Sequence, residues 1–169
     1  MDVQQELTKY ISKALSNDLP KKTEFKTRFH LLDTIVSILT GRLLPPGKKA
    51  FQFSKTQGGV KESTLLGSDI KVSAINAGFS NGMAAHANET DDSTTEGRFH
   101  PGCAIVPATL AVAEREKLGS EEIIKAIALG YDIGVRITTS LGYKTPKTSI
   151  FATHSIGPIF GCAASAGAL

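Results

Sequence analysis

Apolar positions recur at helical spacing along most of the chain. Leu7, Tyr10, Ile11, Ala14 and Leu15 fall at i, i+3, i+4, i+7 and i+8, and Phe25, Phe29, Leu32, Val36 and Leu39 continue the same kind of period. A stripe of this kind is the face a helix turns toward a core. Two amphipathic helices are therefore expected, the second closed by Gly41 and Pro45-Pro46. Residues 48–57 read as a short third helix, broken by Gly58-Gly59. Residues 63–66 are the one strand-like run. Residues 73–87, rich in Ala and other small residues, predict a tightly packed helix, and the polar residues 89–99 predict a loop. Residues 104–118 are helical again, with Pro107 expected in the first turn, where N–H groups lack partners anyway.

The next helix opens on Ser120-Glu121-Glu122, an N-cap followed by acidic residues that face the positive end of the helix dipole. Ile124, Ala128, Tyr131 and Val135 form its apolar stripe. Ala126, Gly130 and Gly134, spaced by four, leave room for another backbone to approach closely. Gly142 and Pro146 mark a loop. No charged residue follows Lys147, and residues 156–169 form a helix that is apolar on every side, starting near Pro158. Such a helix should be buried on every side, packed against the helices at 73–87 and 121–137 or covered by another chain. It is too short to span a bilayer, which takes about 20 apolar residues. The expectation is that its covering elements lie downstream and that residues 1–169 are one helical domain, truncated.

Composition adds limits. Hydrophobic residues make up 41% and charged residues 21% of 169, with a net charge of +3, values ordinary for a soluble globular domain. The lysines are scattered and no aromatic residues interleave with them, so no nucleic-acid surface is indicated. The amino terminus is polar and is not a signal peptide. Cys103 and Cys162 lack metal spacing and suit a reducing, cytoplasmic setting as small apolar fillers.

Candidate chemistry gathers at two places. Glu89, Asp91 and Asp92 directly follow the 73–87 helix, at a carbonyl end that disfavours negative charge. A solvated turn is one reading and a functional site the other. His100-Pro101-Gly102 and Thr153-His154-Ser155 each precede a helix start, where free N–H groups favour an anion and the dipole opposes imidazole protonation. Either histidine is a capping residue or a base beside a bound carboxylate. A metal site built on His86, Asp91, Asp92, His100 and His154 is a third reading, but no H-E-x-x-H or calcium-loop spacing supports it, so no metal is expected.

Taken together, Asn81-Gly82-Met83-Ala84-Ala85-His86-Ala87, the acidic residues Glu89 to Asp92, His100-Pro101-Gly102, Pro107-Ala108 and Ala113-Glu114 resemble the MmgE/PrpD family. Leu65-Leu66-Gly67, Gly130-Tyr131-Asp132 and His154 before its small-residue helix are similar too. That family includes 2-methylcitrate dehydratase, cis-aconitate decarboxylase and an iminodisuccinate epimerase. The resemblance implies an all-α, bundle-like domain facing an α+β lid that this chain lacks. It also implies a homodimer without metal or organic cofactor, and a lyase acting on a small di- or tricarboxylic acid. Residue by residue, it implies catalytic roles for His100, His154, Glu89 and Asp92 and substrate contacts from Asp91, Ser93 and Gly102. Glu89 stands where the family's D-F-D-D pattern has its first Asp, and the spacing to His100 is one residue longer. A non-catalytic helical fragment and an epimerase of an amino or imino dicarboxylate are the alternatives.

Overall fold

A computed structural model describes residues 2–142 and 152–169; Pro146, expected in a loop, lies outside them. Among the described residues the fold is all-α apart from one small hairpin. The order is α1 (Val3–Ser16), α2 (Lys21–Gly41), α3 (Pro45–Thr56), β1 (Ser63–Thr64), β2 (Lys71–Val72), α4 (Ala74–Ala85), α5 (Gly102–Glu116), α6 (Ser120–Ser140) and α7 (Thr153–Gly167). No helix among them is long and apolar enough to cross a membrane.

Helix ends follow local chemistry, with shifts from expectation. The Asp2 side chain caps α1 by accepting from Gln4 N–H, and Ser73 caps α4 by accepting from Asn76 N–H. Pro45 and Pro46 do not so much end α2 as open α3, at its first two positions, where a missing N–H costs nothing. Ser120 is the first residue of α6, and Gly119 holds the cap position without a side-chain bond. Helix α5 starts at Gly102, so Pro107 is its sixth residue, beyond the first turn. That proline leaves the Cys103 carbonyl without its helical donor, and α4 passes close to it: a Cβ on Gly82 would sit 3.0 Å from Cys103 O.

The strand expected at 63–66 is half of an antiparallel hairpin, with Ser63 opposite Val72 and Thr64 opposite Lys71. Its turn places Gly67 at φ 79°, a conformation open to glycine at little cost. The Asn81 amide donates to Thr64 O and accepts from Leu66 N–H, both at 3.0 Å. Glu114 accepts from Thr64 N–H and Oγ1 at 2.7 Å each and pairs with Lys71. Asn81 and Glu114 thus fasten the hairpin onto α4 and α5.

Helix α2 departs from its apolar pattern. Phe25, Phe29, Leu32, Val36 and Leu39 all face solvent, Phe25 at 62% and Leu32 at 57% exposure. The buried face carries Thr27, Thr34, Ser37, Ile38 and Gly41. Steric room explains the choice. At Gly41 a Cβ would collide with the Ala84 carbonyl of α4, so α2 can lie on α4 only along a face of small residues. The outward stripe steps by four and three in alternation, the spacing of a coiled-coil seam.

Helix α6 behaves as its small-residue spacing predicts. Gly130 and Gly134 face Gly161 and Gly157 of α7, and a Cβ on Gly130 would lie 2.9 Å from Gly161 O. Helix α7 packs chiefly on α6 and next on α5, rather than on α4. It begins at Thr153, five residues before Pro158, and is not buried all round: Ile159 and Phe160 are exposed. Its small residues make the close contact and its large ones point outward. Leu65, Ile38, Phe99, Ile105, Val106 and Ile127 are fully enclosed.

Candidate functional site

The chain has four histidines; three meet Asp91 or Asp92, and His154 stands beside one of the three, His100. His86 is the C-cap of α4. The loop that follows folds back tightly, with Thr94 N–H donating to Phe99 O at 3.0 Å and Arg98 N–H to Thr94 O at 2.8 Å. Glu89 and Arg98 take left-handed φ values of 51° and 54° to make the turns, a conformation unfavourable for residues with a Cβ. Phe99 anchors the loop. Its ring is 1% exposed and lies against Gly97, Gly134 and Gly157, where any Cβ would come within about 3 Å of it. Thr153 Oγ1 donates to Arg98 O at 2.5 Å, tying the start of α7 to the same loop.

The two adjacent aspartates point to separate partners. Asp91, its side chain fully enclosed, lies 3.1 and 3.2 Å from His86 Nδ1 through its two oxygens. His100 Nδ1 is 3.5 Å from Asp91 Oδ2, near but outside hydrogen-bond geometry, and buried. The His86 and His100 rings are 5.0 Å apart between centroids, and His100 and His154 are 5.8 Å apart. Asp92 is bonded on both oxygens. His30 Nδ1 (2.7 Å) and Tyr131 O–H (2.8 Å) meet Oδ2, and Gly102 N–H donates to Oδ1 at 2.8 Å.

These contacts set the electrostatics. The bond to Asp92 raises the His30 pKa above its ordinary value, against the opposing effect of burial. Burial works to raise the Asp92 pKa, but the bonds from His30, Gly102 and Tyr131 outweigh it, and the carboxyl is held below its usual range. The Tyr131 hydroxyl is pushed up, by burial first and then by the Asp92 charge. The Cys103 thiol is likewise pushed up, by burial and by neighbouring Asp91. A buried carboxylate is costly unless paired, and each aspartate has found imidazole partners. The solvated-turn reading therefore fails for Asp91 and Asp92 and fits only Glu89.

The structure thus brings His100, His154, Asp91, Asp92 and Gly102 into one network, and leaves Glu89 and Ser93 exposed on the same loop. The start of α5 does bind a carboxylate, but it is the one on Asp92. A side chain at Gly102 would strike Thr34, Asp92 and Tyr131 at 2.5–2.9 Å, so glycine here seats the aspartate. His154 lies in the first turn of α7 rather than before it. Two members of the network, His30 and Tyr131, carried no chemical signal in the sequence. His30 sits on a helix whose pattern points elsewhere, and Tyr131 reads as part of an apolar stripe. His86 is recognisable only through its spacing of five from Asp91. At the His30–Tyr131 end the network opens on a cleft of about 400 Å³ between α2 and α6, with Lys22 and Lys26 on its wall.

This chain matches the MmgE/PrpD N-terminal domain over residues 5–169 and belongs to that family. Within it, the chain is similar to cis-aconitate decarboxylase from Aspergillus terreus, and to the protein of that name from A. terreus strain NIH 2624 / FGSC A1156. Each is 23% identical over 140 residues, 80% of this chain. The chain spans 29% of the length of these relatives.

Proposed function

We propose that this domain carries the proton-transfer half of a lyase acting on a small di- or tricarboxylic acid, cis-aconitate being the first substrate to test. The observation that supports the reading is that three histidines meet the adjacent pair Asp91 and Asp92, and the fourth, His154, stands beside one of them, His100. Asp91 faces the Nδ1 side of His100, which leaves Nε2 directed away from it as the exchanging nitrogen. His154, 5.8 Å from His100 ring to ring, stands close enough for both imidazoles to serve one substrate. In a decarboxylation the electrons of the breaking C–C bond stay on carbon, and one imidazolium delivers the proton that quenches them. In a dehydration one imidazole takes the proton alpha to a carboxylate and the other protonates the departing hydroxyl. Glu89 and Ser93, both exposed on the same loop, are the residues that meet the substrate in this reading. Asp92 and Gly102 act through the protein by fixing the start of α5.

The activity belongs to a protein of the relatives' length, in which residues outside this chain complete the site. Product formation from cis-aconitate and from 2-methylcitrate, followed by NMR on that full-length protein, tests the proposal. His100→Ala or His154→Ala should lower turnover by roughly 10²–10⁴-fold with folding retained. Unchanged turnover in both variants, or no turnover of either acid by the parent protein, refutes it.

A further inference from the structure

His86, Asp91 and Cys103 bring an imidazole nitrogen, a carboxylate oxygen and a thiol sulfur within 4.8 Å of one another. A fourth candidate donor stands beside Asp91, outside that 4.8 Å group. His100 Nδ1 is shut away from solvent, has no hydrogen-bond partner among the described residues, and lies 3.5 Å from Asp91 Oδ2. Buried polar atoms in folded proteins nearly always have a partner, and this one faces a fully enclosed carboxylate. We propose that His86, Asp91, His100 and Cys103 form a binding site for a borderline-soft divalent metal ion, zinc in the first instance.

Geometry and donor chemistry both carry the assignment. Tetrahedral zinc, with bonds of about 2.0 Å to nitrogen and oxygen and about 2.3 Å to sulfur, spaces its donors roughly 3.3–3.6 Å apart. His86 Nδ1 is 3.1 and 3.2 Å from the Asp91 oxygens and His100 Nδ1 is 3.5 Å from Oδ2. His86 and His100 thus already stand at about this spacing from Asp91, and the sulfur, with His100 most of all, must draw inward to admit the ion. One oxygen donor among two imidazoles and a sulfur disfavours magnesium and calcium, which take oxygen-rich sites. The four residues lie in one stretch, from the C-cap of α4 to the first turn of α5, so a bound ion would staple the acidic loop at both ends.

The thiol decides the proton balance. Burial and Asp91 keep Cys103 protonated. Binding exchanges that proton for the metal: the S–H bond breaks, the sulfur electron pair forms the metal–sulfur bond, and one proton passes to solvent. The imidazoles bind in their neutral form. Because the ion would occupy His100 Nδ1, zinc should inhibit the reaction proposed above. That consequence rests on the lyase reading; binding itself does not.

Cobalt(II) titration of the chain tests the site without any activity assay. One equivalent should produce tetrahedral ligand-field bands and a near-ultraviolet thiolate-to-cobalt charge-transfer band, both abolished by zinc. Cys103→Ser should lose the charge-transfer band and Cys162→Ser should keep it. His86→Ala should weaken binding at least about tenfold, the lower end of what even outer partners of a metal site contribute. A wild-type spectrum without the charge-transfer band, or a band that survives Cys103→Ser, overturns the proposal. Should Cys103→Ser not fold, zinc-edge X-ray absorption on the wild-type chain decides. One sulfur and three nitrogen or oxygen neighbours are expected, and a shell without sulfur overturns the site.

Discussion

Replacing Gly130 with alanine should destabilise the chain, although it removes a glycine from the middle of a helix. The new Cβ would lie 2.7 Å from Ile105 Cγ2, 2.9 Å from the Gly161 carbonyl oxygen and 2.9 Å from Ser165 Cβ. Comfortable carbon contacts need about 3.5–4.0 Å, so α7 must retreat by roughly 0.6–1 Å. None of the three atoms yields easily. Ile105 is fully enclosed, Ser165 is buried, and the third atom is backbone. Overpacking of this kind costs about 1–3 kcal/mol, against about 1 kcal/mol recovered from helix propensity. The net loss is about 0–2 kcal/mol. Gly167 is the control: among the described residues nothing lies within 4 Å of its would-be Cβ, and alanine there should add about 0.4–1 kcal/mol by restricting the unfolded chain. Urea unfolding of the two variants, compared at equal m-values, should place Gly130→Ala below Gly167→Ala by about 0.4–3 kcal/mol, the sum of the two effects. Gly130→Ala rising above the wild type would refute the close α6–α7 contact.

Phe99→Ala should cost about 3–5 kcal/mol, because it empties an enclosed site floored by glycines that cannot fill it; a loss under about 1 kcal/mol in urea unfolding would mean the ring is not the loop's anchor. The His30–Asp92 pair should make stability depend on pH from both sides. His30 has a raised pKa, so its contribution is complete below the unfolded value of about 6.5 and fades as pH rises through the folded value. Asp92 has a lowered pKa, so its contribution is complete above about 3.9 and fades as pH falls through the folded value. NMR titration should show His30 titrating above an ordinary histidine in the wild type and falling back in Asp92→Asn; an unchanged His30 midpoint would break the pairing.

Helical periodicity made the architecture legible wherever the apolar residue is also the packing residue. It misled at α2, where the packing surface is Thr27, Thr34, Ser37 and Gly41 and the aromatic stripe is turned outward. Hydropathy registers dislike of water, whereas close helix contact selects for small volume, and on α2 and α7 the two criteria choose opposite faces. Gly130 and Gly134 were readable because glycine at every fourth position expresses volume directly. The acidic loop and His100 stood out because charge after a helix carbonyl end is unfavourable locally. His30 could not stand out: its partner Asp92 is distant in sequence, and no local rule is broken by a histidine in mid-helix.

The two halves of the histidine network reach each other by very different routes. His86, Asp91, His100 and Cys103 close on themselves through one short loop, whereas His154 arrives only when α7 docks along the glycine seam of α6. Short loops close with little entropic loss and long ones with more, and contacts between distant segments form slowly. Yet Phe99, which anchors the acidic loop, rests on Gly134 of α6 and Gly157 of α7, so the docking of α7 secures the loop as well as the His100–His154 pair.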